Sequence, residues 1–415
     1  MRAAIAGQCF GCLGQQAFQN GLMLLYLKGL AFSDVAIVVC LALPYLVMSL
    51  LSPVTAYWSD RLGRKRLVIV GAVFQAAGFL VCTLLGALPG AAGRAGVVAG
   101  VAAWGVSSAI TGGAWFSLLS GVAPPGVRGR FFGKLRFSWQ LTGVVFTALA
   151  APFLAQDTPV LALQCLLGAV TLSMFVRPVI FTAIPDLERP EPLADGFIRS
   201  MLGLARIDSY ASFVAYAFLL ALFTAGCPAL FGLVEKRFLG LGDNTVLWLG
   251  NVFMIGSMIG YFAGGKVVDR WGTKPVFLIC HFTFAATLIA YVLRGFAPGP
   301  VVWTIGTIRF VFGLVMAASS VAISTEMLAI CPAKGLSLST SVCNTMYVAG
   351  SSLSGLMSGW ALKLGFLQKQ WTLMGAPLSE YNAILLVYGV MVGLLVVTLG
   401  LAPSVIGKAE WYPRP

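Results

Sequence analysis

Long apolar runs broken by short polar turns set the plan of this chain. The runs 36–54 and 67–88 carry no formal charge, and about 20 apolar residues in a helix cross a hydrocarbon layer ~30 Å thick. The pattern predicts helices over 4–27, 34–57, 67–88, 95–121, 136–156 and 159–182, and then over 210–234, 245–265, 275–295, 300–325, 338–363 and 381–402. Between the two sets lies 185–208, the one long polar stretch, with Asp186, Glu188, Arg189, Glu191, Asp195, Arg199 and Arg206. The expected fold is an all-α membrane protein with twelve transmembrane helices in two six-helix bundles. The bundles are 1–184 and 209–415, and 185–208 is the cytoplasmic connector.

Composition agrees and excludes a soluble protein. Of 415 residues, 59% are hydrophobic and only 10% charged, with mean hydropathy +0.91, against about 25% charged in ordinary globular domains. The first run is followed directly by another span, so it reads as the first helix rather than a cleaved signal. A net charge of +13 would suggest nucleic acid in a soluble chain. Here it is the Lys and Arg excess of cytoplasmic loops, and no nucleic-acid partner is expected. The nine Cys lie in apolar runs as small hydrophobes. Cys9 and Cys12 have no acid or His nearby, so neither a redox nor a metal site is expected there.

With the N-terminus inside, the cytoplasmic set of cations includes Arg61, Arg64, Lys65, Arg66, Arg128, Arg130 and, near the end of the sixth helix, Arg177. The outer set is smaller: Lys28, Arg94, Lys236, Arg237, Arg294, Lys363 and Lys369, with Arg309 left inside a span. This bias places both termini in the cytoplasm.

The turn between the second and third helices reads SDRLGRKR over 59–66, and the turn between the eighth and ninth reads VVDRWGTK over 267–274. The shared Asp-Arg-x-Gly shifts by 209 residues, from position 60 to position 269. Pro124 and Pro332 follow the fourth and tenth helices at nearly the same shift. Two landmarks at one spacing make the halves parallel, pseudo-symmetric repeats.

These residues resemble the major facilitator superfamily, whose loop signature runs approximately G-x-x-x-D-R-x-G-R-[RK] with a degenerate second copy. Asp60, Arg61, Gly63, Arg64 and Lys65 match it, with Ala56 replacing the leading Gly. The second copy has Gly265, Asp269, Arg270 and Gly272, then Thr273 in place of a base. Arg128, Gly129, Arg130 and Gly133 resemble another loop common in such transporters. The motif makes sense as a cytoplasmic latch: Gly63 and Gly272 permit a tight turn. Asp60 and Asp269 stand where a helix N-terminus or an Arg could meet them. Glu326 is the expected partner of Arg270. The competing reading is that the bases only fix topology.

The resemblance implies that helices 1, 4, 7 and 10 line a central cavity. On helix 1, Gln15, Gln16 and Asn20 offer uncharged hydrogen-bonding groups to a hydroxylated or zwitterionic solute, or to helix packing. Trp115, Gln140, Tyr216, Asn344 and Tyr347 are further lining candidates, with packing or interface belts as the alternative for the aromatics. Arg309 is the one deep charge, with no evident carboxylate at its depth. It meets an anionic substrate group, or else it snorkels outward or hydrogen-bonds helix carbonyls and Asn344. His281 is expected to be structural. The spacing of Gly256, Gly260 and Gly264, and of Ser351, Gly355 and Gly359, predicts close helix contacts.

No G-x-x-x-x-G-K-[ST] motif suggests ATP drive. A transporter of a small organic solute, active or facilitative and working by alternating access, is the leading reading. No midplane acid is found, so a facilitator, an exchanger or coupling through a peripheral acid such as Asp34 all stay open. Alternatives are a transporter-like sensor or an intramembrane enzyme, which would need a paired nucleophile or metal. No catalytic residue, metal or cofactor is expected. The expected partners are the solute, with or without a coupling ion, and the lipid bilayer. The protein is expected as a monomer in the plasma (bacterial inner) membrane.

Overall fold

A computed structural model describes residues 1–19, 22–150, 153, 159–187, 193–332, 334–365 and 367–401. The helices are α1 (Arg2–Gln19), α2 (Leu22–Gly29), α3 (Asp34–Leu62), α4 (Arg64–Leu85), α5 (Gly90–Val122), α6 (Arg128–Ala150), α7 (Val160–Thr182) and α8 (Phe197–Ala205). They continue as α9 (Asp208–Thr224), α10 (Cys227–Leu233), α11 (Asp243–Trp271), α12 (Thr273–Val292), α13 (Val301–Ile330), α14 (Leu336–Leu364) and α15 (Glu380–Leu395). Over its described residues each run read as a membrane span is largely helical, and the fold is an all-α membrane protein of two helical bundles. Among the described residues, nine helices are long and apolar enough to cross a membrane. α1, α6 and α14 fall outside that set because glutamines, the bases Arg128, Arg130, Lys134 and Arg136, and a run of serines dilute their apolar surface.

Chain contacts divide the protein into two units. The first holds residues 1–124, 135–201 and 331–342, and the second holds 125–134, 202–330 and 343–415. Each unit therefore includes a short segment from the other half of the sequence: the first turns of α6 belong to the second unit and those of α14 to the first. The polar connector divides at Met201 and contains α8, which the sequence reading left as a polar stretch. Its apolar Phe197, Ile198, Met201, Leu202 and Leu204 recur at helical spacing.

In the first unit Phe18 stacks on Trp104 at 4.7 Å and meets Phe79 edge-on at 6.0 Å. The Tyr26 hydroxyl donates to the Cys82 carbonyl at 3.3 Å. α3 and α4 turn at Gly63 (φ 98°), and α11 and α12 turn at Gly272 (φ 83°), backbone that a side chain would strain. In the second unit α11 lies directly on α13. A Cβ at Gly256 would fall 2.2 Å from the Phe310 carbonyl oxygen, and one at Gly260 would fall 2.1 Å from that of Leu314. The predicted close contact is present there. It is absent at Gly355 and Gly359, which face open space; small residues permit close approach but do not themselves bring a neighbour.

Between α14 and α15 a two-stranded antiparallel hairpin pairs β1 (Gln370–Leu373) with β2 (Ala376–Ser379), Gln370 opposite Ser379. Its two-residue turn places Met374 and Gly375 at positive φ. Outward helix faces carry exposed Leu50, Leu149, Leu172 and Trp360, side chains that suit lipid rather than water.

Candidate functional site

The motif turns hold the first group of predicted residues. Asp60 is buried at the end of α3. Its Oδ1 accepts from Arg64 Nε at 2.8 Å and from Ser337 Oγ at 2.6 Å, and its Oδ2 accepts from the Ser337 amide at 3.3 Å. Ser337 stands at the N-terminus of α14 and also meets Ser117 of α5 at 2.6 Å. Asp269, at the end of α11, repeats the arrangement one half-chain later. Its Oδ1 accepts from the Gly129 amide at 2.7 Å, while Oδ2 accepts from the Arg130 amide and from Arg130 Nε, both at 2.9 Å. Gly129 and Arg130 open α6. Each carboxylate thus fills the unsatisfied amides of a helix N-terminus, where the helix dipole also favours an anion.

The neighbouring bases act locally. Arg61 donates to the Leu193 carbonyl at 2.7 Å and lies over the Tyr57 ring at 4.0 Å, and the Tyr57 hydroxyl donates to the Asp195 carbonyl at 2.8 Å. Together they strap the connector to the first unit. Lys65 donates to the Thr182 carbonyl at 2.8 Å and Arg128 to that of Leu328 at 3.2 Å; both are cations at helix C-termini. The expected Arg270–Glu326 pair is not formed. Arg270 is exposed, and Glu326 instead accepts a hydrogen bond from Thr273. The residue that breaks the signature in the second copy supplies the partner.

The cavity candidates fall into two groups. In the first unit Gln15, Gln16 and Gln140 are half-buried, and Gln16 lies against Gly143. Trp115 is buried and stacks on Phe181 at 5.2 Å. Asn20 lies outside the described residues. Arg177, expected among the cytoplasmic cations, is no loop residue. It is buried within α7, donates to Gln75 Oε1 at 2.7 Å and to Gln8 Oε1 at 3.0 Å, and sits 4.9 Å from the Phe181 ring centre. Gln75 in turn donates to Ser108 at 2.8 Å. Two amides hold this cation, and no carboxylate meets it among the described residues.

In the second unit the expectation for Arg309 is corrected. Its Nε lies 3.1 Å from Glu235 Oε1, both side chains being buried, and its Nη2 donates to the Pro228 carbonyl at 3.3 Å. Glu235 looked like an outer-end residue of a continuous helix. The chain instead breaks between α9 and α10, then widens into a π-helical turn over Val234–Phe238, which turns Glu235 inward. Asn344 and Tyr347 are half-buried on α14. Tyr216 is buried, with its hydroxyl against His281 Nδ1, and His281 Nε2 meets Ser319 Oγ at 2.7 Å. Both ring nitrogens of the single His are therefore engaged.

Two helical bundles containing membrane-length spans define an integral membrane protein. The Major Facilitator Superfamily model matches residues 5–235, more than half the chain, and the chain belongs to that family. A second model, described as sugar (and other) transporter, matches 207–393. Among solved structures, the E. coli fucose:proton symporter matches with TM-score 0.77 at 12% identity, covering 96% of this chain and 97% of its own. A bacterial homologue of the iron transporter ferroportin matches with TM-score 0.75 at 14% identity, over 96% of this chain and 98% of its own. The human organic anion transporter MFSD10 matches with TM-score 0.70 at 14% identity, over 96% and 98%. At these identities the likeness is one of fold. No curated protein sequence matches the chain.

Proposed function

We propose that this protein is a secondary transporter that moves a small, neutral, hydroxylated organic solute by alternating access. The observation that carries the reading is the paired latch. Two equivalent aspartates each hold the N-terminus of a helix from the other half of the sequence, contacts that can form in one state and break in the other. The two bundles, 1–184 and 209–415, are the moving bodies. The membrane is the plasma membrane, and both termini are cytoplasmic.

The substrate class follows from what remains available. Arg309 is neutralised by Glu235, so it no longer calls for an anion. What remains on helix 1 are the amides Gln15 and Gln16, groups that hydrogen-bond hydroxyls without demanding a charge. The sugar-transporter match over 207–393 points the same way.

The test is counterflow in liposomes with radiolabelled D-xylose and L-fucose, set beside organic anions. Saturable, stereoselective exchange of a neutral sugar is the expected result. Exchange restricted to anions would overturn the substrate class. Thermal stabilisation by a solute that never crosses the bilayer would make the protein a sensor instead.

A further inference from the structure

The connector helix α8 belongs neither to the aspartate sites nor to the cavity residues. It is anchored at its start: the Phe197 ring meets the Tyr57 ring edge-on at 5.6 Å, and the Ser200 hydroxyl donates to the Asp195 carbonyl at 3.4 Å. Tyr57 stands in the last turns of α3, one of the membrane-length spans. The same turns expose Trp58 and Leu62, and indole rings gather at the surface level of a membrane. α8 therefore starts where a span leaves the hydrocarbon. Successive helical residues turn by about 100°, and on α8 this sorts the side chains into three stripes. Ser200 and Leu204 are buried, with Phe197 and Met201 half-buried beside them. Ile198, Leu202 and Ala205 form the next stripe and face outward, Ile198 being 73% and Leu202 59% exposed. Arg199 and Arg206 border that stripe, both exposed. Residues 197–206 include no acid. Asp195, just before the helix, lies 3.5 Å from Arg199, but both side chains are exposed and water screens the pair.

We infer that α8 docks on the cytoplasmic surface of the bilayer, with Ile198 and Leu202 at the acyl boundary and Arg199 and Arg206 on the phosphates of anionic phospholipid. An apolar stripe bordered by a basic one is the pattern of a helix that lies in the plane of the membrane interface. Such a helix buries its apolar side chains only to the depth of the headgroups and leaves its bases at the level of the phosphates. Charge selects the occupant. Arg61, held to the Leu193 carbonyl at 2.7 Å, and Arg66 on the same turn are also exposed. Each cation near an anionic leaflet adds to the attraction. A soluble protein with an apolar groove would cover Ile198 and Leu202 but would make no use of the bases beside them.

The inference rests on the proposed cytoplasmic placement of the connector and not on transport. Hydrogen–deuterium exchange of the α8 amides tests it in the full-length protein, held in nanodiscs of phosphatidylcholine alone or mixed with phosphatidylglycerol. Both leaflets of a nanodisc carry the same lipid, so the reading does not depend on which side α8 faces. Exchange should be slower in the mixed discs, by about fivefold for each Arg engaged, and salt at about 1 M should remove the difference. The double variant Arg199→Gln, Arg206→Gln should exchange at one rate in both lipids. The double variant Ile198→Ser, Leu202→Ser should exchange faster than wild type in both, and because these side chains are exposed the bundles should still fold. Equal wild-type exchange in the two lipids overturns the inference. So does a phosphatidylglycerol effect that survives loss of both Arg, or exchange untouched by the Ser pair. An α8 that is unprotected in either lipid and slows only when a soluble cytosolic fraction is added is a protein-docking helix, which also overturns it. A phosphatidylglycerol effect in a protein whose connector is labelled from outside the cell refutes the topology and leaves the lipid surface standing.

Discussion

Asp60 and Asp269 occupy equivalent places in the two repeats and hold equivalent helix N-termini, yet their charges are answered differently. Asp60 pairs with Arg64, both buried. Asp269 pairs with Arg130, whose side chain is 53% exposed, and takes two backbone amides where Asp60 takes one. The first copy is an ion pair supported by a helix end; the second is a helix end supported by an ion pair. A buried pair broken on one side leaves an uncompensated charge, whereas an exposed pair is screened by water and salt. The two aspartate sites therefore share geometry but differ in what holds them.

The sharpest test of that difference is Asp60→Asn, which removes the buried carboxylate that Arg64 and Ser337 meet. It should cost the engaged latch about 3–5 kcal/mol and reduce initial transport rates the most, with membrane expression retained. Asp269→Asn still offers an oxygen to one of the α6 amides, so its cost should be about 1–2 kcal/mol, with a visibly smaller loss of rate. Equal losses in the two variants would break the distinction. Arg130→Gln should fall within about 1 kcal/mol. Raising salt from about 0.1 M to 1 M should mimic it in wild type and leave Asp60 contacts unaffected. Arg270→Gln should change nothing measurable in flux, because Arg270 is exposed and pairs with no acid among the described residues. A strong effect there would restore the expected Arg270–Glu326 contact in another state.

Much of the fold could be read from the chain because membrane helices announce themselves by length and apolarity. The apolar runs 136–156 and 338–363 marked α6 and α14 even though the whole helices are of modest hydropathy. The site was less legible. Arg177 sits five residues before the end of α7, so it passed for a loop charge. Its partners Gln8 and Gln75 come from two other helices, and no spacing rule links them. The Glu235–Arg309 pair depends on a break and a π-helical turn in the seventh span, which change the face a residue presents without changing the hydropathy pattern. The hairpin 370–379 and α8 are short elements whose local patterns are easily passed over beside membrane-length runs. Asp60 and Asp269 were legible as anion positions because helix N-termini create a predictable demand for them.

We propose that the helix ends held by Asp60 and Asp269 are released and recaptured during transport. Hydrogen–deuterium exchange at the first turns of α6 and α14, measured in liposomes with and without solute exchange in progress, tests it most directly. The Gly129, Arg130 and Ser337 amides should exchange slowly at rest, and faster and together during turnover. Exchange that stays slow at both turns while solute crosses the membrane would contradict it.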